Sequence, residues 1–181
     1  VDDAMALLFA LHSPELDIKG VTTVYGDVHL RAQIALKLID LDGKKGIPVA
    51  VGLECPLLRE RDIWRDGIEG KGIITGKETD LVPIHESAVD FIIRMVHENP
   101  EEIILVAIGP LTNLAVAIIK DPTIIPKIKE IIFIGGMARV SDNSLDVPVI
   151  EYNVRCDPEA ARLIFRSGIP IVMLGMDVTR R

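Results

Sequence analysis

Aromatic side chains are scarce in this sequence: one Trp, two Tyr and four Phe among 181 residues. The interior has to be filled by Ile, Val, Leu and Ala instead, which suits a mixed α/β protein with buried parallel strands. Cysteine is equally sparse. Cys55 and Cys156 lie far apart and form no C-x-x-C pair, so a reduced, cytoplasmic setting is the simpler reading. The four histidines are scattered, and no Ser-His-Asp or Cys-His set can be placed. No apolar run reaches the ~18 residues of a membrane span, and no signal peptide is visible, so no membrane partner is expected. Positive charge is in deficit too. Lys and Arg number 20 against 27 Asp and Glu, a net charge of -7. Phosphate binding needs a basic face, so a nucleic-acid partner is not expected.

What is present is an alternation of strand-like and helix-like segments. Strands are expected at "IKGVTTVYG", "IPVAVG", "EIILVAIG", "EIIFIGG" and "IPIVMLG". Helices are expected over 4–12, 28–41, 86–98, 110–119 and 158–167. The first of these is apolar nearly all round and reads as buried. Residues 54–83 break the pattern with a charged, Gly-rich stretch that holds Trp64. This order implies an α/β fold, a mainly parallel Rossmann-like sheet with helices on both faces. The strands end on glycine, at Gly26, Gly52, Gly109, Gly135 with Gly136, and Gly175. Carboxyl ends of parallel strands share one edge, where open α/β folds bind ligands.

Polar groups gather at that same edge. Asp2 and Asp3 open the first helix, where capping and dipole effects alone account for acids. Asp27 follows Gly26, as an Asx turn or helix cap would place it. Thr112 and Asn113 stand early in a helix that starts after Pro110. The carbonyl of Ile108 points from a strand end. Glu151 and Asn153 are two apart and project to one side if extended. Asp157 and Pro158 make a helix start of purely structural character. Oxygen donors without a His or Cys cluster suit a hard cation such as calcium or magnesium.

Taken together, "VDDAMALLFAL", "GVTTVYGDV", "LVAIGPLTNLAVAI", "GGM", "EYNVRCDPEAARLIF" and "GMDVT" resemble the nucleoside hydrolases, the inosine–uridine preferring N-ribohydrolases. The stretches run in family order over almost the whole chain. The resemblance implies that residues 1–181 are a single domain of that fold, truncated at both ends. It implies hydrolysis of the N-glycosidic bond of a ribonucleoside to ribose and free base, with Ca2+ as cofactor, in purine or pyrimidine salvage. By the same match Asp3 and the main-chain oxygen of Ile108 are metal ligands. Asp2, Asp27, Asn143, Glu151 and Asn153 are substrate-binding. A homodimer or homotetramer is the implied assembly.

Three departures from the family pattern carry further expectations. The carboxylate that accepts the water's proton is expected before Val1. The His that assists the leaving base is expected after Arg181, with a further metal-binding Asp. These 181 residues alone are therefore expected to be inactive or nearly so. Finally, Asp27 stands where the family usually has Asn, and "DIWRDGIEG" lacks a His-Gly found in that loop. Two other readings remain open. One is a non-catalytic member that binds ribose or nucleoside. The other is a different carboxylate–metal hydrolase, such as a phosphoesterase, for which only Arg139 and Arg155 are at hand.

Overall fold

A computed structural model of the protein describes residues 2–58, 63, 67–76, 80–137 and 150–179. Trp64, Arg139 and Asn143 lie outside the described residues. The chain divides into two compact units, residues 1–54 with 63–91 and residues 55–62 with 92–181.

The first unit contains α1 (Asp2–Leu11), β1 (Val21–Thr22), α2 (Val28–Leu41), β2 (Val49–Ala50) and the first turn of α3 (Ala88–Glu98). β1 and β2 run parallel, with Val21 opposite Val49 and Thr22 opposite Ala50. Residue Ile84 extends the pairing through a parallel bridge to Ala50. The core is Leu11, Ala32, Ala35, Ile39 and Val49, with Leu7, Leu8 and Val21 packed against it. α2 starts where Asp27 caps it, accepting from the Leu30 amide at 3.0 Å. Its buried face runs Val28, Ala32, Ala35, Ile39, a helical stripe whose alanines allow close packing.

α1 differs from its expectation. Its apolar character predicts a fully buried helix, yet Met5 is 61% exposed and Phe9 76%. Leu11 is buried and Leu7 and Leu8 pack against the core, while Met5 and Phe9 lie on an exposed side of the helix.

The second unit contains the remainder of α3, β3 (Ile104–Ala107), α4 (Thr112–Lys120), a 3-10 helix (Pro122–Lys127) and β4 (Glu130–Ile134). It continues with α5 (Tyr152–Cys156), α6 (Pro158–Phe165), β5 (Ile171–Leu174) and α7 (Met176–Thr179). The strands form a parallel sheet in the order β3-β4-β5. Registers of Leu105 with Ile131 and Ile131 with Ile171 place these three side chains on one face. Ile131 and Phe133 on that face are fully buried. There Leu105 and Ile131 meet Ile118 of α4 and Ile164 of α6. Phe133 also meets Phe165 edge-on, with ring centroids 6.0 Å apart.

The α/β class with parallel strands is thus the observed architecture. In this unit the opposite sheet face is open: Val106 is 64% exposed and Val172 47%. No helix among the described residues is long and apolar enough to cross a membrane.

Candidate active site

Asp2 and Asp3 occupy the first turn of α1, and both residues are exposed. Even so, enough protein surrounds the Asp3 carboxyl to raise its pKa above the ordinary value. Partial burial is the main cause and repulsion from Asp2 the next; Glu69 adds to it, while Arg31 opposes it. A cation beside the pair would relieve that repulsion, and oxygen-only donors are what calcium takes. The donor chemistry therefore fits the ion that the sequence implies. Among the described residues, however, no group of three or more His, Cys, Asp or Glu side chains is placed to hold one.

Asp27 lies one residue past an unusual turn. Tyr25 has φ of 63° and Gly26 of 72°, two left-handed residues in succession. For a buried Tyr that backbone is strained, and such strain persists only where its surroundings fix it. The Tyr25 amide donates to Leu53 O at 2.7 Å and the Gly26 amide to Glu54 O at 3.0 Å. The exposed Asp27 carboxylate then faces α2 as its cap.

In the second unit the parallel strands end together, and side chains from α5 stitch that edge. Asn153 Nδ2 donates to Ile134 O at 2.8 Å and to Ile108 O at 3.2 Å. A carbonyl oxygen has two lone pairs, so this bond does not exhaust Ile108 as a ligand. Glu151 Oε2 accepts from the amides of Gly136 and Val154, and Oε1 from the amide of Asn153. Gly135 has to be glycine here, because a Cβ would lie 3.0 Å from Glu151 Oε2 and would collide with the Phe133 ring.

The extended form in which Glu151 and Asn153 share one side is therefore corrected. Residues Tyr152–Cys156 form a helix, and Glu151 is its N-cap. The reason is local: one carboxylate satisfies two amide donors of the first turn that would otherwise lack partners.

Asp157 behaves as its sequence context predicts. It is fully buried, caps α6 through Ala160, and accepts from Thr112 Oγ1 at 2.7 Å and the Leu57 amide at 2.9 Å. Thr112 thereby gains its role in fixing α4. His97 is an exposed residue with two polar neighbours. Its Nε2 lies 2.7 Å from Asp121 Oδ2, and Lys127 Nζ lies 2.8 Å from Nδ1. The hydrogen bond from His97 is the main reason the Asp121 carboxyl falls to about 2.

The sequence model of the inosine-uridine preferring nucleoside hydrolases matches residues 1–181. The chain belongs to that family. Pyrimidine-specific ribonucleoside hydrolase RihA of Citrobacter koseri is 38% identical over 187 residues, covering 99% of this chain and 58% of the relative. Probable uridine nucleosidase 2 of Arabidopsis thaliana is 36% identical, and the chain again covers 58% of it. The chain thus spans a little over half the length of these curated relatives. Among solved structures, the plant nucleoside hydrolase PpNRh1 superposes with a TM-score of 0.86 at 42% identity, matching 99% of this chain and 57% of that one. A purine-preferring ribonucleoside hydrolase from Gardnerella vaginalis gives 0.79 at 32% identity, with 97% and 58% covered.

In this member of the family the sequence picks out candidate acids but misses the contacts around them. The Arg31–Glu69 pair joins residues 38 apart. Nothing in either local stretch marks them as partners, because opposite charges are common on exposed helices and loops. The Gly136 amide beneath Glu151 is likewise invisible until the chain folds. The "GG" ending a predicted strand was its only signal.

Proposed function

We propose that this protein hydrolyses the N-glycosidic bond of ribonucleosides, releasing ribose and free base. The observation that carries this reading is the family match across residues 1–181, together with relatives named as ribonucleoside hydrolase and uridine nucleosidase. That the match runs unbroken through both units supports reading residues 1–181 as one domain.

The reaction joins a water oxygen to the anomeric carbon as the carbon–nitrogen bond breaks, through an oxocarbenium-like transition state. The water's proton passes to a carboxylate, and the departing base gains a proton at nitrogen. Asp2, Asp27, Asn143, Glu151 and Asn153 are the proposed ribose-binding residues. Negative side chains stabilise the positive charge developing on the sugar. Asp3 and the Ile108 oxygen are the proposed ligands of calcium. When bound, calcium supplies Lewis acidity and a template for hydroxyl groups. Glu151 and Asn153 already hold backbone groups, so their second task is orientation: they fix the strand ends on which Ile108 and Gly136 stand. Further proposals are a cytoplasmic setting, a homodimer or homotetramer, and little activity in residues 1–181 alone.

The test is release of free base from inosine and uridine by the intact protein, with calcium and after chelation. Turnover should vanish on chelation and return with calcium. Asp3→Asn should weaken calcium binding by at least about tenfold. Release of base from neither nucleoside would refute the reading. Stabilisation by magnesium plus phosphate, and not by calcium plus ribose, would point to a phosphoesterase instead.

A further inference from the structure

We infer that Arg31 and Glu69 form a latch that positions the Asp27 turn and docks the 67–76 segment on α2, so that both are positioning residues for nucleoside binding. The inference rests on the function proposed above for Asp27.

Arg31 lies on the first turn of α2, four residues beyond Asp27. Its Nε donates to both Glu69 carboxylate oxygens, at 3.2 and 3.3 Å, and its Nη2 to Oε1 at 2.5 Å. This fork is the geometry in which Arg and carboxylate bond most strongly. Both side chains are only 30% exposed, so water screens the pair less than an open surface bridge. The other arm of the guanidinium reaches the turn. Nη1 donates to Val24 O at 2.9 Å. Nη2 lies so close beneath Gly26 that a Cβ there would be 3.3 Å away. One planar group thus touches the strained turn on one side and the 67–76 segment on the other.

A second contact docks the same segment. Gly70 has φ of +74°, and a Cβ on it would lie 3.2 Å from Leu30 Cδ1 and 3.5 Å from Ile34 Cδ1. The segment closes on itself there, with the Ile74 amide donating to Gly70 O at 2.8 Å. Leu30 is also the residue whose amide Asp27 caps. The turn that presents Asp27 and the segment carrying Glu69 are therefore fastened to the same first turns of α2. A left-handed Tyr needs its surroundings to hold it, and the Arg31 bond to Val24 O is placed to do so.

A merely structural strap would lower stability and leave substrate binding alone. A positioning latch would raise KM, because Asp27 would spend less time in its binding orientation. The test uses the intact protein, inosine and uridine as probes, and the variants Glu69→Gln, Arg31→Met and Arg31→Lys. Glu69→Gln should speed amide exchange across 67–76 and at Tyr25 and Gly26 by about tenfold or more, with β3–β5 protection unchanged. It should raise KM roughly five- to twentyfold while kcat stays within about twofold. Arg31→Met should do more, losing both arms. Arg31→Lys, which keeps the charge without the fork, should fall between Arg31→Met and the parent. Unchanged exchange and KM in Glu69→Gln would overturn the latch. Faster exchange with unchanged KM would overturn the positioning role. A parent protein that turns over neither nucleoside sinks the functional reading and the positioning role together. That result comes from the parent assay, before any variant is made.

Discussion

Asp2 and Asp3 open α1 on an exposed surface, and repulsion from its neighbour helps raise the pKa of Asp3. Glu151 and Asp157 open helices too, but each of their carboxylates accepts three hydrogen bonds from elsewhere in its own unit. The same residue type at the same kind of helix end meets two different surroundings. In the second unit the acids hold the backbone together. In the first, the acid pair at α1 adds repulsion to the fold, which is the condition expected of groups kept for a ligand. Asp27 stands between the two, exposed yet capping α2.

The comparison can be broken by substitution. Asp157→Ala has the largest expected effect, because it strips a fully buried carboxylate from Thr112, Leu57 and Ala160. A loss of about 3 kcal/mol in urea unfolding is expected. A loss below about 1 kcal/mol would mean that buried acceptor is not needed.

Glu151→Gln comes next. The amide keeps one acceptor oxygen for three donors and removes the charge, so about 1–2 kcal/mol should go. If stability is untouched and only nucleoside binding suffers, Glu151 belongs with Asp2 and Asp3, and the contrast between the units collapses.

Asp3→Asn should have the smallest effect and the opposite sign. A carboxyl whose folded pKa is raised favours folding below its ordinary pKa and costs stability as pH rises through the raised value. In chelator at neutral pH the variant should therefore melt slightly higher than the parent. The loss of stability that Asp3 causes in the parent as pH rises through that raised value should be absent from the variant. A lower melting point in the variant would show that Asp3 is structural.

Most of the element order was legible in the sequence. α2 runs over the residues its periodicity predicts, since the Asp27 cap and the stripe of Val28, Ala32, Ala35 and Ile39 are both local features. Strands were overdrawn: β1 and β2 have two residues each, within runs that read as far longer. Apolar β-branched runs show where a strand can form, but ladder bonds need a partner, and partners are not in the run itself. The 3-10 helix and the short helices α5 and α7 were missed because four to six residues carry too little periodicity. In the candidate site the acids were legible because their motif was, whereas the hydrogen bonds that hold the neighbouring backbone join positions up to 45 apart.

Sequence by itself determined the alternation of strand and helix, the parallel α/β class, the family and the identity of the acids. These follow from local pattern and from motifs that survive in order along the chain. Only the tertiary structure decided which acids are bound into the backbone of their own unit and which stand on an exposed helix end. Hydrogen bonds act over about 3 Å, and only folding brings distant residues that close.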